Sequence, residues 1–159
     1  MKDYTIVIPS NVGSGVAVNE LSYKFDWSII PQGEYDLTFS FISEPLKTLE
    51  GAAELANQAT QIEMISPFSS NIYKVKDNGN ANSSNVIGLL EVESVDGIWT
   101  SGTDFAMRHW KSKNDNPPIR LYGKPQGMDF KIRLVKTNGV LAIYHPNKYD
   151  MIIKLKHIC

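Results

Sequence analysis

The sequence predicts an all-β fold, an antiparallel β-sandwich of jelly-roll type with about eight strands and at most one short helix. Three observations carry this expectation. Apolar and polar residues alternate in short runs that recur about every 8–12 residues. Gly, Pro, Asn and Asp punctuate the intervals between the runs. Nothing in the chain offers the helical crossovers that parallel strands need. At 159 residues, with 42% hydrophobic and 21% charged content, the chain amounts to a single domain, 1–159, able to bury a core of its own. Strands of this number with long connections favour a jelly roll over an immunoglobulin-like sandwich.

Tyr4, Ile6 and Ile8 alternate with Thr5 and Val7 up to Pro9 and predict the first strand. Ser10 to Gly15 reads as a loop, and Val16 to Glu20 as a short paired piece. The stretch from Tyr23 to Ser43 predicts a β-hairpin. Tyr23, Phe25, Trp27 and Ile29 alternate with polar residues, as do Tyr35, Leu37, Phe39 and Phe41 beyond a Pro31-Gln32-Gly33 turn. Period-two alternation places the aromatic set on one face and the hydroxyl-rich, acidic set on the other.

In the segment Glu44 to Asn57, Leu46, Leu49, Ala53 and Ala56 fall at helix spacing, but Gly51 costs about 1 kcal/mol against Ala in a helix. A short helix and a loop leading into a strand both remain open there. Thr60 to Ile65 and the residues around Ile72, Tyr73 and Val75 read as strands, and Asp77 to Asn85 as a polar loop. Val86 to Val92 is a continuous apolar run, as in a strand buried on both faces. Asp96-Gly97 marks a turn leading to Ile98 and Trp99. Phe105 to Trp110 alternates, Lys111 to Asn116 reads as a loop, and Ile119 to Tyr122 as a short strand. Phe130, Ile132 and Leu134 alternate with Lys131 and Arg133. Asn138-Gly139 is a strong hairpin signal that would pair this strand with Val140 to Tyr144. Tyr149, Met151, Ile153 and Leu155 form the last strand.

The net charge of −1 supplies no field for binding nucleic acid or an anionic membrane surface. No stretch reaches the roughly 20 apolar residues that span a bilayer, and Met1 to Pro9 reads as a strand rather than a signal peptide. The one cysteine, Cys159, allows neither an intrachain disulfide nor a thiolate metal cage. The histidines, His109, His145 and His157, lack metal-ligand spacing. Asp26 and Asp36 are the carboxylates most easily imagined as a glycosidase pair, and a solvated sheet face explains them more simply. Asn11 to Gly15 lacks the lysine of a phosphate loop, and Lys111-Ser112-Lys113 is too short for a nucleic-acid patch. The sequence therefore nominates no catalytic residue, cofactor or metal. Trp99, Trp110, Tyr122 and Tyr144 lie in or beside loops and are the candidates for an interface or ligand contact, including stacking on a glycan.

Three motifs carry a resemblance. They are Tyr23-Lys24-Phe25-Asp26-Trp27-Ser28 followed by Pro31-x-Gly33-x-Tyr35-x-Leu37-Thr38-Phe39-Ser40-Phe41, then Ile87-Gly88-Leu89-Leu90, and Asp115-Asn116-Pro117-Pro118-Ile119-x-Leu121. Together they resemble a pattern in small jelly-roll minor capsid or virion-associated proteins of virophages, Polinton-like viruses and large DNA viruses of protists. The resemblance implies a structural virion protein, assembled in a host cytoplasm, that contacts itself as a homo-oligomer or a larger capsid protein. It transfers no catalytic residue. A lectin-like carbohydrate-binding module is the alternative.

Overall fold

The first and last strands of the described residues lie side by side. Asp3 to Pro9 pairs antiparallel with Asp150 to Lys156 without a break in register, and this outermost pair frames the topology. The computed structural model describes residues 2–44, 46–49, 57–65, 73–75, 81–83, 85–94, 105–123 and 128–158. Its strands are β1 (Asp3–Pro9), β2 (Ser14–Ala17), β3 (Glu20–Lys24), β4 (Glu34–Ser43), β5 (Leu46–Leu49), β6 (Gln61–Ile65) and β7 (Tyr73–Val75). There follow β8 (Ala81–Ser83), β9 (Val86–Ser94), β10 (Phe105–Ser112), β11 (Ile119–Leu121), β12 (Asp129–Val135) and β13 (Tyr149–Ile158). The fold is all-β, and every strand pair is antiparallel.

Four pairs nest inside one another: β1 with β13, β3 with β12, β4 with β10, and β6 with β9. Nested pairing is what one long hairpin gives, and rolling it up adds the contacts β13–β4 and β12–β6. The results are two four-stranded sheets, β1-β13-β4-β10 and β3-β12-β6-β9, in jelly-roll order. β9 and β10 also pair, so the two sheets run into one curled sheet along that side. β2 extends the second sheet beside β3, β11 pairs with the start of β4, β5 pairs with β10, and among the described residues β7 and β8 pair with each other alone.

Alternation explains the layers. Along β13, Tyr149, Met151, Ile153 and Leu155 are buried, and Asp150, Lys154 and Lys156 are exposed. Tyr35, Leu37 and Phe41 of β4 and Trp110 of β10 line the same inner face. Opposite them lie Leu21 and Tyr23 of β3, Phe130, Ile132 and Leu134 of β12, and Ile62 and Met64 of β6. Each such side chain contributes about 1.5–3 kcal/mol on full burial. The phenols of Tyr23 and Tyr149, one from each sheet, meet at 3.1 Å. That hydrogen bond crosses the core.

Several expectations are corrected. Tyr23 to Ser43 is not a hairpin, because β3 pairs with β2 and β12, whereas β4 pairs with β13, β10 and β11. The chain crosses from one sheet to the other through a 3-10 turn, Trp27–Ile29, and Trp27 and Ile30 plug the end of the core. The helix alternative at Glu44 to Asn57 fails over Leu46–Leu49, which is strand, and most of the remaining segment lies outside the described residues. Ala81–Ser83, expected in a loop, forms β8. β9 is not buried on both faces: Leu89 is exposed, and a register shift leaves Ile87 without a partner on β6, a β-bulge. β10 continues through Lys111 and Ser112. The Asn138-Gly139 turn forms, with Gly139 at φ 85°, but beyond it only single bridges join Leu141 to Val135 and Tyr144 to Gln58. The expected turn at Asp96-Gly97 lies outside the described residues.

Candidate interaction surface

The solvent face of the β1-β13-β4 sheet, extended by β11, is laid out in cross-strand rows. Register places Asp3 beside Lys156, Lys156 beside Asp36, and Asp36 beside Arg120. This row alternates in charge across four strands. The next row holds Thr5, Lys154 and Thr38, and the one after it Val7, Ile152 and Ser40. Asp3, Thr5, Asp36, Thr38, Lys154, Lys156 and Pro118 line a shallow groove of about 450 Å³ over the first two rows. Val7 and Ile42 are 59% and 56% exposed, an apolar fringe beside the charges.

The charges are unequally satisfied. Arg120 donates from Nε to Asp36 Oδ1 at 2.9 Å and lies 3.8 Å from Glu34. The hydrogen bond to Asp36 holds its guanidinium pKa above the ordinary value. Asp3, Lys154 and Lys156 have no ion pair within 4.0 Å among the described residues. The solvent face of the other sheet differs. There Arg133 bridges Glu20 at 3.0 Å and Glu63 at 2.6 Å. Across β9 and β10, Lys111 contacts Glu93 and lies 3.6 Å from Glu91, with His109 3.7 Å from Glu93. The hydrogen bond from Lys111 lowers the Glu93 pKa and raises that of Lys111.

The three aromatic candidates among the described residues, Trp110, Tyr122 and Tyr144, do not come together. Trp110 is corrected outright, since it stands on β10 pointing inward, is 0% exposed, and can stack on no ligand. Its backbone N–H donates to Ser43 Oγ at 2.9 Å, and its indole N–H meets no acceptor among the described residues. Tyr122 is 58% exposed and follows Leu121, which pairs with Tyr35 at the start of β4. Half-buried Tyr144 belongs to the β12–β13 connection, which meets the other end of β4 where Glu44 N donates to Lys148 O. Trp99 and Cys159 lie outside the described residues.

The imagined acidic pair separates as well: Asp26 caps the Trp27–Ile29 turn, and Asp36 pairs with Arg120. His145 bonds to the Pro146 carbonyl, and the His157 ring lies tilted against Tyr35 at 5.0 Å. Among the described residues no cluster of His, Cys, Asp and Glu could hold a metal ion, and no helix is long and apolar enough to cross a membrane. The row of Asp3, Lys156, Asp36 and Arg120 escapes sequence reasoning because four separate strands contribute to it. Only the alternation of Lys154 and Lys156 with apolar residues signals which way those two point.

Fold and surface together define an all-β jelly-roll domain with one open, incompletely paired charged sheet face. No protein-family model, curated protein or solved structure matches the chain.

Proposed function

We propose that this chain is a structural protein that assembles through protein–protein contacts, specifically a minor capsid or capsid-associated component of a virion. The observation that carries the reading is the complete set of nested strand pairs, the connectivity that viral capsid domains share with lectins and cupins. Fold alone does not fix function. Support also comes from the open face of the first sheet and from the way the three resembling motifs meet in space. Phe39 of the first motif packs on Gly88 of the second, and Asn116 of the third binds the backbone of Leu89 on both sides. The motifs thus form one packing unit within the fold, and the partner proposed for the open sheet face is another protein surface, either a second copy or a larger capsid protein.

The carbohydrate-binding alternative rested on exposed aromatics. Trp110 is buried, Tyr122 follows β11 beside the start of β4, and Tyr144 is half-buried and bridges Gln58, so these three give it no support. Mass spectrometry of purified particles, combined with solution mass of the isolated protein, tests the proposal. Stoichiometric presence in particles and a defined oligomer are expected. A stable monomer absent from particles, or specific binding on a glycan array, would overturn it.

A further inference from the structure

We infer that the solvent face of β1, β13, β4 and β11 is a self-complementary contact surface. Its occupant is a second copy of this chain, packed face to face about a two-fold axis parallel to the strands and midway between β13 and β4. Such an axis leaves each cross-strand row at the same height and reverses its order. The row Asp3, Lys156, Asp36, Arg120 reads minus, plus, minus, plus. Reversed, it sets Asp3 against the second copy's Arg120 and Lys156 against the second copy's Asp36, twice each by symmetry. Moving the axis onto β13 or β4 puts like charges opposite each other. An axis running across the strands sets every charge against itself.

Two of the four charges in the row, Asp3 and Lys156, have no ion pair within the chain among the described residues, so the contact supplies partners that the fold withholds. The row beside it, Thr5, Lys154 and Thr38, offers hydroxyls to the lysine of the other copy. Four strands about 4.8 Å apart and three rows about 7 Å apart cover about 400 Å² per copy, half the ~800 Å² of a standard interface. The dimer is therefore weak and sensitive to salt, the kind of contact that holds when many are arrayed together.

The contact rests on the assembly reading only in taking a second copy as occupant. Particle composition separates the two, since a solution monomer found in particles overturns this contact alone and a monomer absent from particles overturns both. Sedimentation equilibrium of the full chain up to about 1 mM, at low and high salt, should show a monomer–dimer equilibrium that weakens as salt rises. K156D and D36K, each alone, should weaken self-association at least about tenfold. Mixed one to one they should associate about as well as wild type, because all four facing pairs are again opposite in charge. Since Asp36 also holds Arg120, D3K serves as a further variant with no internal ion pair to lose, and it too should weaken the dimer. Wild type that stays monomeric, single variants that dimerise unchanged, or a mixture of folded variants that fails to associate would each overturn the inference.

Discussion

The ring of Phe39 lies directly on the backbone of Gly88. A Cβ placed on that glycine would fall 1.9 Å from Cε1 of the ring and 2.2 Å from Cζ. Phe39 belongs to β4 and Gly88 to β9, so the contact spans the core between the two sheets. Since Gly88 has no side chain, an aromatic ring can close a gap that even alanine would force open. Gly88→Ala should destabilise the fold by about 1–3 kcal/mol through overpacking, read from urea unfolding midpoints at constant slope. Adding Phe39→Leu should recover part of the loss, and the coupling in a double-mutant cycle should be clearly nonzero. A fully stable Gly88→Ala protein would contradict the packing.

The Tyr23–Tyr149 hydrogen bond makes a second prediction, in alkali. Burial, the largest cause for both, raises each phenol above its ordinary pKa of 10.0. Below that value both phenols are protonated whether the chain is folded or unfolded, and their contribution is fully present. Above it the unfolded chain releases protons that the folded chain keeps, so stability falls as pH rises. Each tyrosine contributes a slope of about 1.4 kcal/mol per pH unit in that window. Tyr149→Phe should cost only about 0.5–1.5 kcal/mol near neutrality, because the Tyr23 hydroxyl keeps the Pro9 carbonyl at 3.3 Å. It should also remove one proton's worth of the alkaline slope, measured by denaturant unfolding between neutral pH and pH above 10. An unchanged slope would show that Tyr149 ionises freely in the folded state.

The all-β class was legible because strands such as β12 and β13 alternate cleanly, and alternation depends on one buried face alone. Pairing was not legible in the same way. Alternation runs from Tyr23 through Ile29 and resumes at Tyr35, which local reasoning joins into a hairpin, yet this jelly roll sends β3 and β4 to opposite sheets. Trp27 obeys the alternating pattern while plugging the end of the core from a 3-10 turn. Leu46 to Leu49 looked equally helical, and pairing with β10 decided for strand, an instance of tertiary context overriding propensity. Trp110 sat between His109 and Lys111, which mimics a loop edge. Both neighbours point outward toward the Glu93 carboxylate, and the indole points inward. The charged row needed registers among four strands that sequence spacing does not encode.

Asn116 clamps β9 from the connection between β10 and β11. Its Oδ1 accepts from Leu89 N at 2.9 Å, and its Nδ2 donates to Leu89 O and to Lys113 O, both at 3.0 Å. Asn116→Ala should cost about 1–2 kcal/mol and speed amide exchange at Leu89. Asn116→Asp should be at least as costly, since a carboxylate keeps the acceptor but turns oxygen toward two carbonyls. If aspartate is tolerated, the donor half of the clamp contributes nothing.

Arg133 ties three strands of the second sheet together, reaching Glu20 on β3 and Glu63 on β6 from β12. The Glu63 side chain is 13% exposed, so its charge is partly cut off from water and depends on this partner. Arg133→Met keeps the aliphatic stem and removes the cation, so among the described residues Glu20 keeps only Lys131 at 3.8 Å and the Glu63 carboxylate loses its Arg133 partner. That should cost about 1–3 kcal/mol, between the value of an exposed pair and that of a buried one. Glu63→Gln in the same chain should restore much of the loss, because the group left behind is then neutral and retains its hydrogen-bonding atoms. Thermal unfolding of the two single variants and the double variant separates the cases. Additive losses would show that the Arg133 cation acts independently of Glu63, through Glu20.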